Sequence, residues 1–289
     1  PYIAGGDIAV VRGYARTSSN RGVALLWDGV PMTDLSRASP TINLPNINLF
    51  NLSSIEYVQG PGSALHGSDA FHGVIGLNSY SPRSGRAAVE LQTGENSYYQ
   101  AGVRNQIALG DDYHASIALA ANGQGNQHQN VSTPDPLTGS PLPKEQAQRY
   151  DADSAVVQLE SKPAAATHYE AGYYHHRYEA SGFMGLGPRA RGLPDEGGNL
   201  TDLNMGRLGL SHQFDSKRSL ELRGYYWEMV NKMDFNLGVL DGTLQALQLQ
   251  RYDQHRFGAQ AIYRDQLDAL NTRWALEYSQ DSQGVDEAT

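Results

Sequence analysis

From Arg86 onward, the chain alternates apolar and polar residues with a period of two. Tyr99, Ala101, Val103, Ile107 and Leu109 share one side of an extended chain, while Gln100, Gly102, Arg104 and Gln106 share the other. The pattern repeats at Tyr113, Ala115, Ile117, Leu119 and Ala121, and again at Ala155, Val157 and Leu159. It returns at Leu208, Leu210 and Phe214, at Phe257, Ala259, Ala261 and Tyr263, and at Trp274, Leu276 and Tyr278. Successive side chains of a strand point to opposite faces, so each segment predicts a strand with one apolar and one polar face. About nine such segments can be counted, many near the ten or so residues that a strand tilted across a bilayer requires.

Two architectures satisfy this pattern: a transmembrane β-barrel, and a soluble jelly roll or sandwich with a mixed N-terminal domain. No run of 18 apolar residues occurs, which excludes a transmembrane helix. A barrel stays open, because alternating strands hide their apolarity from any average. Tyrosine (17) outnumbers phenylalanine (6), which suits membrane-interface girdles and also a soluble all-β protein. The net charge of −9 argues against a nucleic-acid surface. There is no cysteine, hence no disulfide framework and no thiolate chemistry. The 289 residues allow one large or two ordinary domains.

The connections between alternating segments discriminate. Those at 110–112, 162–167, 215–218 and 265–271 are short; those at 123–148, 180–202 and 233–250 are long. Long and short come in turn, as in outer-membrane barrels, whose short turns face the periplasm and whose long loops face outside. A sandwich gives no reason for that parity.

Before residue 86 the texture differs. Ala24, Leu25 and Leu26 form an apolar run ending at Asp28-Gly29, a tight-turn dipeptide. Pro31, Pro40 and Pro45 interrupt the next stretch, and 43–51 reads as an asparagine-rich loop or one helical turn. The stretch 52–79 then opens on an extended pattern, with Ile55 and Tyr57 on one face and Glu56 and Val58 on the other. Gly60, Pro61, Gly62, Gly67 and Gly73 come after it, then the apolar run from Val74 to Leu77. Strand, glycine-punctuated turn with a short helix or turn, and strand is the predicted order. So many glycines indicate a backbone that turns sharply or approaches another backbone closely. Residues 81–85 read as a linker.

These stretches resemble the plug domain of TonB-dependent outer-membrane receptors. Ile55, Glu56, Tyr57, Val58, Gln59, Gly60, Pro61, Gly62, Ser63, Ala64, Leu65, His66, Gly67, then Ala70, His72, Gly73, Val74 and Ile75 follow the family's plug motif. The family carries arginine at Gln59, tyrosine at His66, and Asn-Ile at Gly76-Leu77. Upstream, Val11, Arg12 and Gly13, then Leu26, Trp27, Asp28, Gly29, Val30 and Pro31, resemble the family's second plug segment. The motif resemblance covers about residues 8–79.

The resemblance implies a mainly β protein. A small α+β plug would occupy 1–85, and antiparallel transmembrane barrel strands 86–289. The barrel would be incomplete at about nine strands, since a plugged transporter needs roughly 22. The chain would hold most of a plug and the first part of a barrel, with the signal sequence and the TonB-contacting segment lying before it. The implied function is active import of a scarce ligand across the bacterial outer membrane. The ligand would most often be a ferric siderophore, otherwise cobalamin, haem, another metal complex or a sugar. TonB, outer-membrane lipid and a small extracellular ligand are the implied partners, with no cofactor and no catalysis. Plug-motif positions are Arg12, Gly13, Asp28, Gly29, Pro31, Glu56, Gly60, Pro61, Gly67 and Gly73. Arg12 and Glu56 would form a half-buried pair fixing the plug strands, unless they are two solvated charges. Ligand contact would fall on outer loops, with Met184, Arg189 and Arg191 as candidates.

Other motifs read as structure. The 62–68 segment has phosphate-loop spacing, but Ser68 stands where lysine must hold phosphates. His175 and His176 are adjacent on a strand, so they point to opposite faces and cannot chelate one metal. His66 and His72 flank Gly67 and could face a ligand, but read as packed polar residues first. Asn51, Asn130 and Asn199 begin Asn-x-Ser/Thr triplets at a frequency chance explains. No serine–histidine–acid or paired-carboxylate spacing defines a catalytic site.

Overall fold

The computed structural model describes residues 23–32, 47–60, 73–83, 86–134, 141–162, 166–181, 198–236, 239–240, 243–244, 247–267 and 270–288. They build two main sheets, a small one cradled on the inner face of a large one.

The small sheet holds β1 (Val23–Trp27), β2 (Val30–Pro31), β3 (Leu52–Gln59) and β4 (Gly73–Ser79) in the order β2-β1-β4-β3. Asp28 and Gly29 both have positive φ (45° and 81°), the type I′ geometry whose twist suits a two-residue hairpin. The sequence reading of this dipeptide as a tight turn is borne out: Leu26 pairs with Pro31 and Trp27 with Val30. β1 runs parallel to β4, which requires a crossover. All five β1 residues are buried, as expected of a strand covered on both faces. One 3-10 turn, Leu49–Asn51, occupies the asparagine-rich stretch, capped by Asn48 Oδ1 accepting from the Phe50 N–H (3.0 Å). Residues 61–72, where a short helix or turn is expected, lie outside the described residues.

The large sheet is a nine-stranded antiparallel meander. Its members are β5 (Ala88–Thr93), β6 (Tyr99–Leu109), β7 (Tyr113–Pro134), β8 (Pro141–Ser161), β9 (Thr167–Ser181), β10 (Gly198–Gln213), β11 (Arg218–Asn236), β14 (Leu247–Leu267) and β15 (Leu270–Ala288). A minimal hairpin, β12 (Val239–Leu240) with β13 (Thr243–Leu244), lies between β11 and β14. Among the described residues β5 and β15 are each paired on one side only, so the sheet stays open.

The alternation settles the faces. Val103, Ile107, Leu119, Val157, Leu208, Phe257 and Leu276 all stand exposed on the outer face. Tyr173, Gly206, Tyr226 and Phe257 form one cross-strand row toward the end with the long connections. Tyr113, Tyr169, Tyr263 and Trp274 mark the opposite end. An apolar band between aromatic rows is the lipid-facing surface of an outer-membrane wall. The inner face carries Ser116, Ala118, Ser154, Val156, Gln158 and Tyr174, all buried. It is covered by the small sheet rather than by a second stacked sheet of a sandwich.

Three expected connections are shorter than the sequence reading has them. β7 and β8 stay zipped to Pro134↔Pro141, past a bulge between Gln124 and Gln127, so most of 123–148 is hairpin and not loop. Likewise β11 and β14 pair from Met233↔Gln250 out to Asn236↔Leu247, and β14 reaches Leu267 before β15 starts at Leu270. The alternating apolar pattern of the wall marks strand immersed in lipid, and the sequence of these extensions does not continue it. The long–short parity has one exception, 94–98 between β5 and β6, a compact turn closed by Gly94 N–H to Tyr98 O (3.0 Å).

Candidate functional site: the seam between the small sheet and the wall

The β1–β2 hairpin is where the two sheets lock. Asp28 Oδ1 accepts from the Ser79 N–H (2.8 Å), and Oδ2 accepts from Gln158 Nε2 on β8 (3.1 Å). Gln158 Nε2 also donates to the Tyr174 hydroxyl on β9 (2.9 Å). Arg207 Nε on β10 donates to the same hydroxyl (2.8 Å), and Arg207 pairs with Glu170 (3.1 Å). One turn aspartate is thereby tied to three consecutive strands of the wall. A half-buried carboxylate such as Asp28 gains from such donors, because leaving it unpaired while partly desolvated is costly.

Aromatic packing reinforces the polar ties. Trp27 Nε1 donates to Ser79 Oγ (3.1 Å), and its ring meets Tyr174 edge-on at 5.5 Å between centroids. Trp227 Nε1 on β11 donates to the Pro31 carbonyl (3.1 Å). One apolar cluster runs through both sheets, with Leu25, Trp27, Met32 and Leu77 on one side and Tyr174, Leu203, Met205 and Trp227 on the other.

The 3-10 turn makes a second contact. Asn51 Nδ2 donates to Ser154 Oγ (2.8 Å) and Asn48 Nδ2 to Asn122 Oδ1 (3.4 Å). Phe50 lies over Gly102, where an added Cβ would sit 2.7 Å from its ring; only glycine admits that approach. Arg104 donates to the Phe50 carbonyl (3.2 Å) and stacks its guanidinium 3.8 Å from the Tyr80 ring centroid. Below, Arg83 pairs with Glu160 (3.0 Å), and Gln106 Nε2 donates to the Ser81 carbonyl (2.7 Å).

Of the sequence-selected residues, Asp28, Gly29 and Pro31 meet at this seam. Glu56 is exposed on β3, opposite Gly76. Gly60 has φ 111°, a conformation that favours glycine. At Gly73 an added Cβ would sit 2.8 Å from the Val58 carbonyl oxygen, so glycine allows the β3–β4 approach. Arg12, Gly13, Pro61, Gly67, Met184, Arg189 and Arg191 lie outside the described residues, and with them the Arg12–Glu56 pair and the candidate ligand loop. His175 and His176 point to opposite faces as expected: His176 is buried inward, while His175 faces outward, 3.3 Å from Asp153 and 3.0 Å from Asn204. Among the described residues no group of three or more metal-ligating side chains gathers.

Gln158, Tyr174, Arg207 and Trp227 are the seam residues that sequence reasoning misses. Their parity puts them on the polar face with every other inward residue. The one available signal is aromatic doubling, Tyr173-Tyr174 and Tyr226-Trp227, which places a large ring on each face at once.

If the seam acts as a unit, its members are coupled. A cycle of Asp28→Ala and Tyr174→Phe, read from chemical unfolding of the intact protein, should give an interaction energy of about 0.5–3 kcal/mol. Additive effects would show that the two groups act independently.

The model of the TonB-dependent Receptor Plug Domain matches residues 3–74. The vitamin B12 transporter BtuB of Photobacterium profundum is 29% identical over 122 residues, covering 42% of this chain and 20% of that protein. The structure of the siderophore receptor PiuA from Acinetobacter baumannii superposes with a TM-score of 0.69 at 16% identity, over 97% of this chain and 40% of that one. That of the ferric-catecholate import receptor Fiu from E. coli K12 does so with a TM-score of 0.67 at 9% identity, over 92% of this chain and 43% of that one. At such identities the two structures speak for the fold alone, and this chain spans well under half the length of each relative. Together with a small sheet lodged on the inside of an outward-apolar wall, they identify residues 3–74 as a plug domain of the TonB-dependent receptor family and give the chain the fold of such receptors' plug and barrel strands.

Proposed function

We propose that the receptor containing this chain imports a scarce small ligand, a ferric siderophore-type complex before cobalamin or haem, using energy delivered by TonB to the plug. The observation that carries this reading is the seam: the small sheet sits on the lumen side of the wall, held by Asp28, Trp27 and the Pro31 carbonyl. A lumen so occupied passes no ligand until part of the plug moves, which calls for an energy source. Residues 1–85 act as plug and 86–289 as wall, with Arg12, Gly13, Pro61 and Gly67 belonging to the same plug unit as Asp28. The protein binds and moves its ligand without covalent chemistry. PiuA is described as a siderophore receptor, Fiu as a ferric-catecholate import receptor and BtuB as a vitamin B12 transporter, which sets the order of candidate ligands.

Ligand capture belongs to the outer connections, since loops on a rigid scaffold carry most binding. Deleting 185–198, with Met184 left as the anchor and Arg189 and Arg191 removed, should lower uptake of a radiolabelled ferric siderophore about tenfold, equivalent to about 1.4 kcal/mol of binding. Barrel insertion should be unaffected. Unchanged transport rules that loop out; transport that persists in cells lacking TonB rules out the energised reading itself.

A further inference from the structure

The inner face of the wall changes character along its height. From the cross-strand row of Tyr174, Met205, Trp227 and Arg256 toward the short connections, it is laced with ion pairs. Arg207 pairs there with Glu170 (3.1 Å), Arg264 with Glu221 (3.0 Å) and Arg256 with Asp281 (3.2 Å). Toward the long connections the charges stop. One inward row there runs Gln100–Asn122–Ala152–Tyr178–Thr201–Asn231–Tyr252. The inward rows on either side of it, Gly102 to Gln254 and Gln124 to Gln250, likewise hold no Asp, Glu, Lys or Arg on β6 to β11 and β14.

The boundary belongs to this face alone. The outward row at the same height, Ala121–Asp153–Arg177–Asp202–Val230–Asp253, carries three aspartates and an arginine. These strands have left the hydrocarbon there, so lipid is not what keeps the inward face neutral. Nor is that face apolar. Tyr150, Asn199, Asn231, Gln250 and Tyr252 are half-buried and keep surface toward the lumen. Thr201 Oγ1 donates to Asn231 Oδ1 (2.8 Å), the Tyr252 hydroxyl donates to Gln250 Oε1 (3.1 Å), and the Tyr150 and Tyr178 rings lie 6.0 Å apart. The plug segment that meets this face is neutral too: 38–55 holds no Asp, Glu, Lys or Arg, and its 3-10 turn touches the wall through Asn48–Asn122 and Asn51–Ser154. Among the described residues, the charges that flank these rows are acids: Glu90 on β5, held by the amides of Gln92 and Gln100, and, by register, Glu287 on β15.

We propose that this amide- and tyrosine-lined face receives a metal complex with no net charge, a ferric tris-hydroxamate rather than a ferric tris-catecholate. Resting on the import reading above, this fixes the charge class of its ligand. In a ferric tris-hydroxamate the charges of the three hydroxamates cancel that of the metal, whereas a ferric tris-catecholate remains a multiply charged anion. Bringing that anion against a face without a cation, flanked by acids, costs desolvation that no pairing returns. A neutral complex escapes that cost. Its carbonyls and amides find donors and acceptors in Asn199, Asn231 and Gln250, and its apolar parts find the rings of Tyr150 and Tyr252.

The test uses the intact receptor in detergent and follows quenching of its intrinsic fluorescence by one complex at a time. Ferrichrome, an uncharged ferric tris-hydroxamate, should bind at least about tenfold tighter than ferric enterobactin, a tris-catecholate. Its affinity should be the same in low and high salt, as expected where no charge pairing is involved. Asn231→Ala and Tyr252→Ala should each weaken ferrichrome about tenfold, while heat-modifiable barrel migration stays normal. Asn199→Arg with Asn231→Arg should tighten ferric enterobactin at least about tenfold and make its binding salt-dependent. Cyanocobalamin bound in place of ferrichrome sustains the uncharged class and names a corrinoid as its member. Tighter wild-type binding of ferric enterobactin overturns the charge class and leaves the import reading standing. Unchanged ferrichrome binding by both alanine variants overturns the site, and failure of all three complexes to bind overturns the metal-complex class. Uptake of the bound complex that persists in cells lacking TonB defeats the import reading itself, and this inference with it.

Discussion

Replacing Trp27 with alanine is expected to loosen the plug from the wall by about 3–5 kcal/mol, the range for deleting a buried tryptophan. Trp27 is 1% exposed and sits in the apolar cluster shared by both sheets. Its removal takes away the edge-on contact with Tyr174 and leaves Ser79 Oγ without its indole donor. The cavity opens between two sheets that are themselves rigid, so little collapse can offset it. The measurement is the urea concentration at which a fluorescent label on the plug of the intact receptor becomes mobile. Trp274→Ala is the control, because that indole is 69% exposed on the outer face of β15 and touches no part of the plug seam. If the two alanine variants release the plug at the same urea concentration, the seam does not hold the plug.

The parts of this architecture that were legible in sequence are those written in local chemistry. Asp28-Gly29 reads as a two-residue turn because only residues tolerant of positive φ can close a type I′ hairpin, and both do. The wall strands read as strands because a bilayer on one side and a filled lumen on the other force alternation. Where that asymmetry ends, legibility ends too: residues 124–134 of β7 continue as strand through a run rich in Gln, Asn and Ser, and nothing in their sequence pattern distinguishes them from loop. The seam is less legible still. Asp28 and Gln158 are 130 residues apart, and a glutamine on the polar face of a strand carries no mark of its partner. Gly102 is the missed hint. A glycine inside a strand, at inward parity, signals a close neighbour, and Phe50 is that neighbour.

The face assignment itself carries the second large effect. Leu276 is 75% exposed on the outer face of β15, paired with Ala261 and lying between Trp274 and Tyr278, the aromatic residues that bracket the band on that strand. An arginine there must hold its guanidinium near the middle of the hydrocarbon, and charged residues at that depth of an outer-membrane wall cost about 2–4 kcal/mol. Glu277 is the adjacent residue on the same strand, paired with Gln260 and turned inward. Glu277→Gln removes a charge from the lumen side, where water and polar side chains solvate either form, and should change folding stability by no more than about 0.5 kcal/mol. The pair therefore compares neighbouring positions on one strand that differ in which side of the wall they face. Folding of the intact receptor into lipid vesicles, followed by titration with denaturant, measures both. Leu276→Arg should shift the midpoint clearly downward and Glu277→Gln should leave it in place. Because the two residues share strand, depth and pairing partner strand, a shift of similar size in both variants leaves no reading in which this face of the sheet meets lipid.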